Sequence, residues 1–371
     1  MQKFIVKLFL FVLPFGILYV AIAIFNYTVD ATCMFSRAHI IERASDDVLS
    51  GKIVITPRNI SHRLFQKKII KKIKKVPSTI AIGSSRTITL RASYLGLDNE
   101  SFFNHSVPDG VLNDLITILG CYKEKGAFPK TIIIGIDPAM FDERFGTDGR
   151  WKFIASSYYH LLAYIRDDIP KLKLMYDLIK TQWEAKVLKM KWLLSYQHAI
   201  TNYKYYHNVL KRGVDYMVVQ DTSVDDWLVT PDGSIYFPYS IRFRNEAVSF
   251  EKCLLIMRNR IKKYGEITFK EDFINLIDYL LSTDTHIIFF LSPYHPYVWQ
   301  EISKKGERHL IFDVEEMIRS VAQPRKIPII GTFNPHRFNF TNRDFWDAIH
   351  IHDHALVKIF KGYRNVSRQN R

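Results

Sequence analysis

Between Leu8 and Tyr27 the chain runs for twenty residues without a single charged side chain. As a helix such a run is about 30 Å long, the thickness of a bilayer's hydrocarbon core. Lys3 and Lys7 precede it and Asp30 follows it, so the positive flank stays in the cytoplasm and the remainder faces outward. Pro14 is no obstacle, because kinks are accepted in membrane helices. Two other readings compete. Ala21-Ile22-Ala23 resembles the cleavage site of a signal peptide, although the apolar run continues through Ile24 and Phe25. A buried core helix is the other. The expectation adopted is an uncleaved anchor over residues 1–27. No second stretch matches it, which makes a single-pass protein of the cytoplasmic (inner) membrane with residues 28–371 on the far side.

That placement governs what the charge means. Lys and Arg number 52 against 37 Asp and Glu, a formal +15 over 371 residues. Such a balance suits nucleic acid, phospholipid headgroups or acidic polymers. An outward-facing body excludes nucleic acid and leaves the membrane and an envelope glycan, anionic or neutral, as partners. Hydrophobic residues at 47% exclude wholesale disorder. Cys33, Cys121 and Cys253 are too scattered for a disulfide framework or a zinc cluster.

After an irregular lead-in with a helical stretch over Ile40–Leu49 comes SHRLFQKKIIKKIKK, residues 61–75. Its apolar residues recur at helical spacing with lysines between them. It reads as a solvated helix leading into the first strand, or as a basic helix on anionic lipid. Short apolar runs then alternate with amphipathic helices. The runs are Thr79–Ile82, Phe102–Ser106, Thr131–Ile136, His286–Leu291 and Ile327–Gly331. The helices are Val111–Tyr122, Phe269–Leu281 and Ile311–Val321. The alternation predicts an α/β fold, a parallel sheet flanked by helices on both faces. Polar and glycine residues close the strands at their carboxyl ends, where such sheets hold their sites.

An insertion over about 151–264 separates the third run from the fourth. Residues 151–212 read as helical and rich in aromatics, among them Trp151, Tyr158, Trp183, Trp192 and Tyr205. These line a substrate groove or form the core of a helical subdomain. Thr230-Pro231-Asp232-Gly233-Ser234 signals a turn, and a helix from Asn245 to Tyr264 returns to the sheet.

Two segments carry chemistry. Gly83-Ser84-Ser85-Arg86 follows the first apolar run, and a serine at a strand-to-helix turn is exposed beside N–H groups that can receive an oxyanion. The pentapeptide Gly-x-Ser-x-Gly is absent. Near the carboxyl terminus, Asp347 and His350 lie three apart in Asp344-Phe345-Trp346-Asp347-Ala348-Ile349-His350. A turn can bring that carboxylate to the imidazole Nδ1 and leave Nε2 for a serine. Asp344 is a rival for Asp347. His350, His352, His354 and Asp353 offer a second reading as a zinc site, but no metal and no cofactor is expected. Tyr294-His295-Pro296 at the end of the fourth run contacts substrate, supplies a competing base in His295, or is a turn. Arg86 binds an anionic substrate group or pairs with a carboxylate such as Asp137.

Taken together, the early Gly-x-Ser and the late Asp-x-x-His resemble the SGNH/GDSL hydrolase family. The resemblance implies Ser85 as nucleophile, His350 as general base and Asp347 as its orienting carboxylate. It implies that the N–H groups of Ser85 and Gly110 form the oxyanion hole. The family's third block usually supplies an Asn; here Gly135-Ile136-Asp137-Pro138 holds none. The anchor together with Ile82–Arg86, Gly135–Pro138, Ser292–Pro296 and Phe345–His350 is similar to a membrane-anchored subgroup. The D-alanyl transfer protein of teichoic acid synthesis and the alginate O-acetylation proteins are examples. The resemblance implies a membrane-bound O-acyltransferase as partner and O-acyl transfer to, or removal from, an envelope glycan. A catalytically degenerate module that binds polymer or partner is the alternative, and a lipid-acting esterase is a third.

Overall fold

The computed structural model describes residues 1–147, 149–208, 216–243, 246–304 and 309–369. The expected helical residues 209–212 and the helix start at Asn245 lie outside them. Helix α1 (Gln2–Val29) is long and apolar enough to cross a membrane, with its most apolar window unburied, and its carboxyl-terminal turns pack against the domain. It is followed by α2 (His39–Leu49), strand β1 (Ile53–Ile55) and α3 (His62–Lys72).

The central sheet begins with β2 (Thr79–Ile82), α4 (Ala92–Leu95), β3 (Phe102–Asn104), α5 (Leu112–Lys125) and β4 (Thr131–Ile136). The chain then leaves the sheet through α6 (Ala155–Ile165), α7 (Lys171–Leu194) and α8 (Tyr196–Asn208). Three short strands follow, β5 (Met217–Val219), β6 (Leu228–Val229) and β7 (Ile235–Tyr236), then α9 (Tyr239–Arg242) and α10 (Glu246–Asn259). It returns with α11 (Lys270–Ser282), β8 (His286–Leu291), α12 (Pro296–Ser303), α13 (Leu310–Arg325), β9 (Ile329–Gly331) and α14 (Asp353–Gln369).

The five strands of the central sheet lie in the order β3-β2-β4-β8-β9, and every pair is parallel. Both faces are covered. Ile80, Ile82, Ile132, Ile134, Ile287 and Phe289 pack into the larger core with α5, α11 and α13. The alternate residues Ala81, Ile133, Ile288, Phe290 and Ile330 pack on the other side with α14. Side chains alternate across a strand, so two buried faces require runs that are apolar throughout, as these are. The strand order reverses between β2 and β4, which opens a crevice at their carboxyl ends.

One expectation changes. The insertion is not helical throughout. Strands β5, β6 and β7 join β1 from the lead-in as an antiparallel sheet ordered β5-β1-β6-β7. The turn over residues 230–234 links β6 to β7, with Gly233 at φ +76°. These strands are two or three residues long, too short for an alternation to register in sequence. The aromatics of the insertion also divide. Trp151 and Tyr205 are buried, whereas Tyr164, Trp183, Tyr203 and Tyr206 stand in the open.

Candidate active site

The crevice holds Ser85. Strand β2 ends at Ile82, and the Thr87 N–H donates to the Ser84 carbonyl at 3.0 Å, closing a tight turn over Ser84–Thr87. The Ser84 hydroxyl donates to Asp137 at the end of β4 at 2.8 Å. Asn104, at the end of β3, donates to the carbonyls of Thr87 and Leu90, each at 2.9 Å. Three neighbouring strands thus fix the turn while Ser85, half-buried, is left facing outward. Gly135 allows the approach, since a Cβ there would run into the Thr87 side chain.

The opposite wall is the segment between β9 and α14. His350 Nε2 lies 2.9 Å from Ser85 Oγ. Its Nδ1 lies 2.9 Å from Asp347 Oδ2 and 3.0 Å from Oδ1. A ring nitrogen against a carboxylate carries the proton, so Nδ1–H donates to Asp347 and the Nε2 lone pair faces the Ser85 hydroxyl. Asp347 Oδ1 also accepts the N–H groups of Ile349 and His350 at 2.9 Å each. Burial pushes the Asp347 carboxyl up; the attraction of the neighbouring His350 ring and these hydrogen bonds outweigh it and hold the group below its ordinary value. Trp346 and Phe237 pack around the His350 ring, with centroids 5.8 and 6.0 Å away. Ser85, His350 and Asp347, separated by up to 265 positions, are therefore in one hydrogen-bonded line.

The other candidate residues are placed differently. The Ser85 N–H makes no hydrogen bond among the described residues. The Gly110 N–H donates to the Val107 carbonyl at 3.1 Å and closes a turn over Val107–Gly110. What Gly110 visibly contributes is closeness: a Cβ on it would meet the Gly83 carbonyl oxygen at 2.5 Å and Ser84 Cα at 3.2 Å. Arg86 is buried. It donates to the carbonyls of Ser292 and Pro293 and lies 4.0 Å above the Tyr294 ring. It forms no ion pair with Asp137, whose carboxylate is taken by Ser84 and by the Ala139 N–H. Tyr294 and His295 are 0% and 1% exposed. His295 Nδ1 accepts the Tyr297 N–H as the cap of α12, and burial pushes its pKa down to about 4. Arg86, Tyr294 and His295, expected as substrate contacts, are thus buried beneath the site, where Arg86 and His295 bond to backbone at the end of β8 and the start of α12. His295 does not compete as base. Asp344 accepts from His354 at 2.9 Å and from the Thr341 N–H at 2.7 Å, so it is no rival to Asp347. Among the described residues no three His, Cys, Asp or Glu side chains converge as a metal site would need.

Sequence reasoning missed an arginine clamp on the turn that carries Gly110. Arg63, in α3, forms a paired bond with Asp114 at 3.0 and 2.7 Å and also donates to the Pro108 carbonyl at 2.9 Å. Arg150 and Arg260 hold the two oxygens of Asp109 at 3.3 and 3.2 Å. Asp109 has φ +50°, a conformation that Asp tolerates better than most residues. Burial opposes its charge, yet Arg260 and Arg150 keep its carboxyl below the ordinary range. Beside this turn lies a cavity of about 500 Å³, lined by Arg58, Arg63, Arg150, Asp109, Trp192 and Trp227 among others. Of its lining, Trp227 packs on Phe237, which in turn packs on His350, so one aromatic ring separates the cavity wall from the His350 imidazole.

Compared with protein-family models and with curated protein sequences, the chain finds no match.

Proposed function

We propose that this is a membrane-anchored serine esterase or O-acyltransferase of SGNH type, acting outside the cytoplasm on an envelope glycan. The observation that supports the reading is the unbroken line from Ser85 through His350 to Asp347. Ser85 Oγ attacks the carbonyl carbon of an acyl donor while its proton passes to His350 Nε2. The Ser85 N–H receives the developing oxyanion, and Asp347 stabilises the imidazolium without taking its proton. Collapse expels the donor alcohol, which takes the proton from His350 and leaves an acyl ester on Ser85. A glycan hydroxyl, or water, then gives its proton to His350 and attacks that ester; collapse breaks the bond from the acyl carbon to Ser85 Oγ, which takes the proton back from His350 Nε2. Transfer follows with the first acceptor and hydrolysis with the second. The Arg-lined and aromatic cavity next to the Asp109–Gly110 turn suits a sugar that carries acidic groups. A membrane-bound O-acyltransferase would supply the acyl group.

A second reading, a degenerate module that binds polymer or partner, is favoured by two observations. The Gly110 N–H is engaged with Val107, and Asp137 stands where the resembling family places an Asn. Labelling of the full chain in detergent with a fluorophosphonate, followed by peptide mapping, separates the two. The enzyme reading expects an adduct at Ser85 that is absent in Ser85→Ala and His350→Ala. A folded protein that takes no label, with or without its membrane partner, sinks it.

A further inference from the structure

Helix α7 exposes a row of large apolar side chains that nothing among the described residues covers. Leu172, Met175, Tyr176, Ile179, Trp183, Val187, Met190 and Leu194 recur at intervals of three or four, so they share one face. Leu172 is 73% exposed, Tyr176 65% and Trp183 66%. The opposite face holds Leu174, Thr181 and Ala185, which are buried against the domain. A rotation of about 100° per residue puts Lys171 and Lys189 along one edge of the stripe and Lys173, Lys180 and Lys191 along the other, while exposed Lys186 falls within it, between Met175 and Ile179.

A monomeric surface rarely leaves so long an apolar row open, and one that does marks a contact site. Its occupant is indicated by what adjoins it. Asn26, in the last turn of α1, donates to the carbonyls of Trp192, Leu193 and Ser195 at 3.1, 2.8 and 3.1 Å. The carboxyl end of α7 is therefore tied to the end of the apolar helix, at the level where lipid headgroups begin. The next helix carries Tyr196 and Tyr203, both exposed, residues suited to the membrane–water boundary. Lysines along both edges can bury their stems and reach up to phosphate.

We infer that α7 lies in the membrane interface, its Leu172–Leu194 stripe among the acyl chains of the leaflet that α1 enters. The inference rests on the reading of α1 as an anchor. The domain then meets the bilayer along two elements, and the cavity lined by Trp192 opens close to the headgroups.

The test uses the full chain in nanodiscs of phosphatidylcholine and phosphatidylglycerol at three to one. A nitrobenzoxadiazole probe is attached at Trp183→Cys or Met190→Cys. Probes at Leu13→Cys, inside α1, and at exposed Asn99→Cys serve as references. Cys33, Cys121 and Cys253 are buried and their thiols are pushed to about 11 or 12, so they do not take the label. The expected result is reduction by aqueous dithionite at least tenfold slower at 183 and 190 than at 99, in Ser85→Ala as in the unaltered protein. Reduction at 183 as fast as at 99, with Leu13 protected, overturns the inference and leaves the anchor standing. Fast reduction at Leu13 overturns the anchor and the inference together. Protection that is lost when discs hold a single copy assigns the stripe to self-association and overturns it too. None of these readouts depends on catalysis, so they are independent of the serine mechanism.

Discussion

Replacing Gly110 by alanine tests whether the turn beside Ser85 is set by backbone packing. The added Cβ would stand 2.5 Å from the Gly83 carbonyl oxygen, 3.1 Å from its carbon and 3.2 Å from Ser84 Cα. All three are main-chain atoms of the segment that carries Ser85, so no rotamer change relieves the contact. An ordinary carbon–oxygen contact is about 3.4 Å, so the two segments must part by roughly 0.9 Å. Overpacking of this kind costs about 1–3 kcal/mol. Spread over the unfolding entropy of a chain this size, that lowers Tm by roughly 1–4 °C. Reactivity suffers more, because a misplacement of about 1 Å costs on the order of a hundredfold in rate. The assay is the rate of fluorophosphonate labelling at Ser85, with Tm measured on the same preparation. Gly149→Ala is the control, since its Cβ would meet only the Lys152 side chain at 3.7 Å. Labelling of Gly110→Ala at the unaltered rate, with Tm unchanged, would refute the argument that close approach is what this glycine provides.

Asp347→Asn keeps the shape but removes the charge that holds Nδ1–H, and labelling should slow by about three to four decades with the fold intact by circular dichroism. Arg63→Ala leaves Asp114 buried without its partner, and denaturant titration should show a loss of about 3–5 kcal/mol. His62, His105 and His295 are buried with pKa values pushed down by desolvation to about 3, 3 and 4. The unfolded chain protonates near 6.5 while the native state does not, so stability is full above that value and falls as the pH drops. Between pH 6 and 5 each contributes up to about 1.4 kcal/mol per pH unit, and a flat denaturant midpoint across that window would contradict their neutral burial.

The parts of the fold legible in the sequence were those with long periodic signals. The sheet strands were apolar on both faces, and His286–Leu291 was placed without error. The Asp347–His350 contact is local, and three residues suffice to suggest it. The arginine clamp is the opposite case. Arg63, Arg150 and Arg260 meet at Pro108-Asp109 from three distant segments, and nothing near any of them signals the meeting. Asn104, which secures the segment after Ser85, was hidden for the same reason. For Arg86 and His295 the sequence leaves a structural and a substrate-facing role both open, because proximity to a motif in sequence does not say which way a side chain turns.

The bonds made by Asn26 bear on how the domain is carried. Its amide also accepts from Asn202 at 3.0 Å, and Asn202 in turn accepts the Ala31 N–H at 3.1 Å. A helix joined to its domain only by a slack linker would let that domain swing at any angle. Here the joint is closed by hydrogen bonds between amides, so, with α1 as the proposed anchor, its tilt and the height of Ser85 above the bilayer would be a single mechanical variable. Cutting the chain near residue 30 to obtain a soluble protein would remove Asn26 and its three bonds, leaving the Trp192 and Ser195 carbonyls only the N–H groups of Ser195 and Ala199. The soluble product would lose the brace that ties the α7–α8 corner to α1.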